Sequence, residues 1–236
     1  MENGLGIVIV HRANPALTKR ALKSALLQDV EADVMLVDNF SADGPYRVDG
    51  TQVSTLYTLE QWSLSECWNR ALSVMWRAGK KACLVVNNDV VLRKDTLRLL
   101  VEHGAPFVTC VSVDDEARMG EYCDRDVEQL KATERPHPDF SCWLIHKEVT
   151  DKGLWFDEEM FPAYCEDSDF HVKMHRAGVH AVCVDLPFYH YGAGTLKSSD
   201  EAEAARIRRG ADKNRERFRA KYGCLPGSAE YNALFR

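Results

Sequence analysis

Short apolar runs alternate with helix-patterned stretches through the first 110 residues, and this alternation is the tightest constraint on the fold. Leu5 to Val10 reads as a strand. Pro15 to Gln28 follows with helical spacing, placing Leu17, Ala21, Leu22, Ala25 and Leu26 on one face. Asp33 to Val37 is a second strand, and Gln52 to Leu56 a third, shorter one, with a turn at Ser41-Ala42-Asp43-Gly44-Pro45 between them. Leu64 to Trp76 is a helix with Cys67, Trp68, Ala71, Leu72, Met75 and Trp76 as its apolar stripe. Ala82 to Val86, Asp95 to His103 and Phe107 to Val111 continue the series as strand, helix and strand.

Such a chain folds as a largely parallel sheet covered by helices on both faces. In open sheets of this kind ligands bind beyond the carboxyl ends of the strands. Asp38 and Asp89 both follow strands at that end.

The second half is less regular. Residues 114–139 are polar and include Arg135-Pro136-His137-Pro138, as in an inserted loop. Phe140 to Ile145 is a strand candidate. Asp167 to Ala177 is a helix closed by Gly178. His180 to Val184 is a strand, and a glycine-bearing loop runs from Tyr189 to Thr195. Asp200 to Tyr222 is a long charged helix, interrupted at Gly210. The expected organisation is a domain over 1–198 with a helical extension, 199–236, packed on it.

Composition narrows the function. The chain has 236 residues and a net charge of −6, which is not the balance of a protein that binds nucleic acid by bulk charge. The run from Arg206 to Lys221 is an exception, with eight basic residues against two acidic ones. The longest apolar run, Ala82 to Val86, is far short of the roughly 18–20 residues that span a bilayer. The N-terminus lacks the pattern of a signal peptide. The eight cysteines form no CxxC pair, which fits reduced, buried thiols and a cytoplasmic protein.

Four positions carry the candidate chemistry. Asp89, in Asn87-Asn88-Asp89, suits a hard divalent cation that keeps sites open for phosphate oxygens, although Asn and Asp are also ordinary turn residues. Glu166-Asp167 opens a helix, where carboxylates either cap it or face a cleft as a general base. His190, flanked by tyrosines and close to Gly192 and Gly194, suits a metal and diphosphate site. His171 and His175 have metal-ligand spacing, but Val172 stands where a zinc protease carries its glutamate, and they read as surface histidines.

In this order, the motifs resemble those of family 2 glycosyltransferases. Val37-Asp38-Asn39-Phe40-Ser41-Ala42-Asp43-Gly44 is similar to the V-D-N-x-S-x-D-G motif, and Leu84 to Val90 to the strand carrying a D-x-D-type element. Gly153 to Glu158 with Tyr164 to Asp169 is similar to the G-x-F-D-E … Y-x-E-D-x-D block, and Tyr189-His190-Tyr191-Gly192 to the late metal-binding histidine. The resemblance covers roughly residues 5–195. It implies a GT-A (Rossmann-like) α/β fold, with a mostly parallel mixed sheet flanked by helices. It also implies a Mn2+- or Mg2+-dependent, inverting enzyme that uses a nucleotide-sugar donor, with a UDP-sugar favoured. By the same resemblance Asp38, Val10, His11, Asn69 and Asn88 belong to the nucleotide site. Asp89 and His190 would ligate the metal, and Asp167, with Glu166 second, would be the base. The chain departs from the family pattern at His11-Arg12-Ala13 and at Ser141-Cys142-Trp143.

The acceptor is a hydroxyl on a glycan or another soluble molecule. The basic helix leaves open DNA-base glycosylation, with strong salt dependence as its signature. A degenerate nucleotide-binding protein is the non-enzymatic alternative. A nucleotidyltransferase would carry a glycine-rich loop after the first strand, which His11-Arg12-Ala13-Asn14 is not.

Overall fold

The elements are β1 (Leu5–His11), α1 (Pro15–Leu26), β2 (Asp33–Asp38), β3 (Val53–Tyr57), α2 (Leu64–Arg77), β4 (Ala82–Asn87), β5 (Val90–Val91) and α3 (Thr96–His103). They continue with β6 (Phe107–Val113), α4 (Glu116–Cys123), β7 (Cys142–His146), α5 (Lys147–Asp151), α6 (Glu166–Arg176), β8 (Val182–His190), α7 (Glu201–Tyr222) and α8 (Ala229–Ala233). They come from a computed structural model, which describes residues 4–41, 45–47, 53–123, 127, 130–133, 137–192, 194, 197 and 199–235. The expected turn at 42–44, the strand start at Gln52, the Arg135-Pro136 pair, and Ala193 and Thr195 lie outside those residues.

One sheet runs in the order β3-β2-β1-β4-β7-β6-β8-β5. Strands β3, β2, β1 and β4 are parallel, as the alternation predicts. Beyond them β7 lies antiparallel between β4 and β6, β8 is parallel to β6, and β5 is antiparallel to β8. The sheet is therefore mixed, not mostly parallel. Strand β7 follows the long polar stretch 114–139, whose helix α4 packs on β6 and β8 and does not cover a crossover to β7, so no right-handed crossover sets its direction.

The central strands are apolar throughout because both faces are buried. Along β1, Ile7 and Ile9 join Ala21, Leu22 and Ala25 of α1 in one core, while Val8 and Val10 join Trp68, Ala71, Leu72 and Met75 of α2 in the other. This two-residue alternation is what a strand imposes. Helix α2 is N-capped by Ser63, whose Oγ accepts a hydrogen bond from the Glu66 N–H at 3.1 Å. Helix α1 starts at Asn14, whose side chain accepts from the Leu17 N–H, with Pro15 in the first turn.

Some expectations change. The polar segment 114–139 contains a helix, α4. Strand β8 runs on through Tyr189 and His190, which were expected in a loop, because it pairs with β6 and β5. Helix α7 is continuous through Gly210. That glycine answers a packing demand: a Cβ there would lie 2.2 Å from Pro162 Cδ. His171 is buried, not superficial; its ring stacks on Phe235 and its Nδ1 lies 3.3 Å from the Tyr231 hydroxyl. Among the described residues seven cysteines are free and buried. Among the described residues no helix is long and apolar enough to cross a membrane.

Candidate active site

A cleft of about 590 Å³ opens at the carboxyl ends of β1 and β4. Val10, Asn88, Asp89, Glu166, Asp167 and His190 all line it, so six of the nine residues singled out from the sequence converge on one cavity. His11, Asp38 and Asn69 do not line it.

The first wall is built by β5. Asp89 sits in the turn between β4 and β5, and the register of β5 on β8 sets Val90 opposite His190. The Tyr191 N–H, donating to the Asp89 carbonyl at 3.0 Å, extends that pairing. The result is His190 Nε2 at 3.3 Å from Asp89 Oδ1, while the Gly194 N–H donates to Asp89 Oδ2 at 3.0 Å. Asp89 is only 5% exposed. Burial alone would raise its pKa, but the hydrogen bond and charge of His190 together with the Gly194 N–H outweigh it, and the net shift is downward. Burial likewise opposes protonation of His190, yet Asp89 raises its pKa overall.

The carboxylate and the imidazole converge as they would on a shared hard cation. A Cβ at position 194 would meet Asp89 Oδ2 at 2.9 Å, so only glycine leaves the carboxylate clear. Two protein ligands, with oxygens of a bound ligand and water, fit such a group. Among the described residues no cluster of three or more His, Cys, Asp or Glu side chains could hold a metal alone.

The second wall is the N-terminus of α6. Neither carboxylate caps this helix in the ordinary way, since Cys165 is the N-cap residue and makes no side-chain capping bond. Glu166 is 5% exposed, and its Oε2 accepts no hydrogen bond among the described residues. Burial first, then the neighbouring Asp167 charge, raise its pKa well above the usual range. Asp167 is half-buried, with Oδ1 accepting from the Ser168 N–H at 2.6 Å. Its pKa is also raised, by burial and in smaller part by Asp139. Both groups are thus better proton acceptors than exposed carboxylates.

The three remaining residues shape the surroundings. Asp38 is buried and accepts from Ser41 Oγ, the Ser41 N–H and the Tyr46 N–H, which folds the loop after β2. His11 Nδ1 lies 2.7 Å from Thr18 Oγ1, and Asn88 Nδ2 donates to the same oxygen and to the Ala13 carbonyl. This ties the turn after β1 to the Asp89 turn. Asn69 is turned away from the cleft, bonded to both backbone groups of Phe156 and to Glu158.

Sequence reasoning missed Arg12, Asn39, Gln61, Asp139 and Tyr164 as lining residues; Ser141, part of a departure from the family pattern, lines the cleft as well. Arg12 had a signal, as an exception to the family turn. It donates to the Asn39 carbonyl and pairs with Glu203 of α7 at 2.8 Å. Asp139 had none, because it lies in a polar stretch without periodicity. Four of the eight basic residues between Arg206 and Lys221 are paired within the molecule: Arg206 with Glu203, Arg215 with Asp212, Arg217 with Asp157 and Glu159, and Lys221 with Asp157 and Asp169.

No family model and no curated protein matches the sequence. Solved structures match the fold. The mannosyltransferase PcManGT from Pyrobaculum calidifontis, in complex with GDP-Man and Mn2+, is 16% identical with a TM-score of 0.63, over 100% of this chain and 68% of that one. S. aureus TarS 1-349 is 15% identical with a TM-score of 0.58, over 98% of this chain and 77% of that one. GalNAc-T7 with UDP, GalNAc and Mn2+ is 10% identical with a TM-score of 0.61, over 80% of this chain and 44% of that one. At such identities the likeness is one of fold: this chain has a GT-A-like fold.

Proposed function

We propose that the chain is a metal-dependent glycosyltransferase. It moves a sugar from a nucleotide sugar, UDP-linked by preference, to the hydroxyl of a glycan or other soluble acceptor, with inversion at the anomeric carbon. The observation that carries this reading is the convergence of Asp89 and His190 with Glu166 and Asp167 on one cleft at the carboxyl ends of β1 and β4. The complexes of the fold's solved relatives with GDP-Man and Mn2+ and with UDP, GalNAc and Mn2+ favour the same ligand classes.

The roles follow from the chemistry. Asp89 and His190 would hold a divalent cation, Mn2+ or Mg2+, which supplies positive charge against the leaving diphosphate. Val10, Asn88 and Asn39 line the donor end of the cleft. Asp38 acts there by folding the loop that carries Asn39, and His11 by bracing the turn after β1. Asp167 accepts the acceptor proton as its oxygen attacks, because an alcohol is too weakly acidic to attack unaided. Glu166 stands beside it as the second choice. Among the described residues Cys165 is the one thiol lining the cleft. Burial, then Asp167 and Glu166, push its pKa up to about 12, so it stays protonated and a covalent thiol intermediate is disfavoured. A single direct displacement by the acceptor inverts the anomeric carbon, as the resemblance to family 2 implies. Such an enzyme would work where nucleotide sugars are made, in the cytoplasm.

The test is a thermal-shift screen of UDP-, GDP-, dTDP- and CMP-sugars, each with Mn2+ and with EDTA. A ligand at a hundred times its Kd stabilises the folded state by about 2.7 kcal/mol, a rise of several degrees. We expect one nucleotide class to raise Tm with Mn2+ and not with EDTA, and Asp89→Ala to abolish that rise. No shift with any nucleotide would overturn the reading in favour of a GT-A-like fold without donor binding.

A further inference from the structure

The residues that present Glu166 and Asp167 are held by a helix far away in sequence. The loop before α6 enters through Pro162 and has its backbone in the left-handed region at two consecutive non-glycine residues, Tyr164 (φ 80°) and Cys165 (φ 70°). Such conformations persist only where the surroundings over-determine them. Here Asn214 of α7 does so. It is 3% exposed, and its Nδ2 donates to the Ala163 carbonyl at 2.8 Å and to the Tyr164 carbonyl at 3.1 Å. One turn earlier in α7, Gly210 lies flat against Pro162.

A second grip falls on the other side of the two carboxylates. Asp169, fully buried in the first turn of α6, accepts a hydrogen bond from the Tyr222 hydroxyl at 2.7 Å and pairs with Lys221, both at the end of α7. Glu166 and Asp167 thus lie between two points at which α7 fixes the chain. Asn214 does not line the cleft; its Nδ2 donates to the two loop carbonyls instead.

We propose that α7 is the positioning clamp for the base, with Asn214 as its principal positioning residue and the Tyr222–Asp169 contact as its second point. This rests on the reading of Asp167 as the proton acceptor. Its consequence is separable from folding. The Asp89–His190 wall is built by β5 and β8, and the contact of α7 with the donor side, Glu203 on Arg12, lies about three turns before Asn214, so loosening the clamp at Asn214 leaves donor binding intact and slows the chemical step. A displacement of about 1 Å of a catalytic group costs up to a hundredfold in rate.

The experiment follows release of nucleoside diphosphate from UDP-glucose, UDP-N-acetylglucosamine and GDP-mannose with Mn2+. Water serves as the acceptor, so no natural acceptor is needed. Asn214→Asp keeps the shape but removes both donors; Asn214→Ala removes the side chain. Val149→Ala, at a fully buried residue of α5, controls for a general loss of stability. Expected is a fall in kcat of tenfold or more in both Asn214 variants, with donor KM within twofold of wild type. Val149→Ala at a similar Tm should stay within twofold in kcat. A kcat unchanged in the Asn214 variants, a parallel loss of donor affinity, or an equal loss in Val149→Ala would overturn the clamp. If the Asn214 variants do not fold, Tyr222→Phe decides, with a severalfold fall in kcat supporting the clamp and a wild-type kcat overturning it. A wild-type chain that neither binds nor cleaves any donor removes the functional reading itself, and the clamp with it.

Discussion

Asp167 and Glu166 are adjacent in sequence but differ in what their surroundings let them do. Asp167 has one oxygen anchored on the Ser168 N–H and stays half-buried at the cleft wall. Asp167→Asn keeps the shape and loses the proton acceptor. Transfer should fall by the 10²–10⁴-fold typical of losing a general base, while the Mn2+-dependent nucleotide shift in Tm remains. Near-normal transfer would move the role elsewhere. The base must be ionised to act, and burial raises its pKa, so the acid limb of kcat/KM should lie above the 3.8 of an unperturbed aspartate. Asp139→Asn removes a nearby negative charge and should move that limb to lower pH. Glu166 has a different signature. A buried carboxyl with a raised pKa favours folding most below its unfolded pKa of about 4.5, and that contribution is lost as pH rises through its folded value. Glu166→Gln cannot ionise. Its melting temperature should therefore gain on wild type as pH rises above about 4.5, and parallel curves across that range would contradict the assignment. These two residues, Asp89 and His190 were legible in the sequence because their chemistry stands out at strand and helix ends. Asp139, Asn214 and Gly210 were not, because their significance lies in what another segment places against them.

At the scale of elements, what was legible and what was not divides by the range of the interaction that decides each one. Helix α2 was visible because its stripe of Cys67, Trp68, Ala71, Leu72 and Met75 is local. Strand β5 was not: two residues carry no periodicity, and it exists only by pairing with β8. Yet β5 sets Asp89 beside His190, so that wall of the cleft depends on the element least readable from sequence. The direction of β7 was hidden for the same reason. Gly210 shows how a local rule fails. In an exposed helix interior, Gly→Ala stabilises by about 1 kcal/mol. Here the new Cβ would lie 2.2 Å from Pro162 Cδ and 3.0 Å from the Phe161 carbonyl, both rigid. Overpacking of that kind costs about 1–3 kcal/mol. Gly210→Ala should therefore lower Tm, where propensity alone predicts a rise, and circular-dichroism melting would distinguish the two.

For the whole molecule, the question is whether residues 199–236 are an appendage or part of the folding unit. The charge pattern of α7 suggested a helix free to meet an anionic partner, but Arg206, Arg215, Arg217 and Lys221 are already paired within the chain. Its buried face carries Ala204, Ile207, Ala211, Asn214 and Phe218. Phe218, Cys224 and Tyr231 form a core with Met160, Cys165 and Val172, residues that flank the candidate base on both sides. Deleting 199–236 would strip that core of two aromatic rings, each comparable to a core Phe→Ala change of about 3–5 kcal/mol. It would also take the Lys221 ammonium and the Tyr222 hydroxyl from fully buried Asp169, leaving it Lys173 alone. Against the ~5–15 kcal/mol that stabilises a domain, these losses are too large to absorb. A chain ending at residue 198 should be insoluble or lack a cooperative melt, and the full chain should unfold in one transition. A truncated chain that melts cooperatively near the wild-type temperature would make α7 and α8 an appendage, and the loop before α6 would then have to hold its left-handed turn without them.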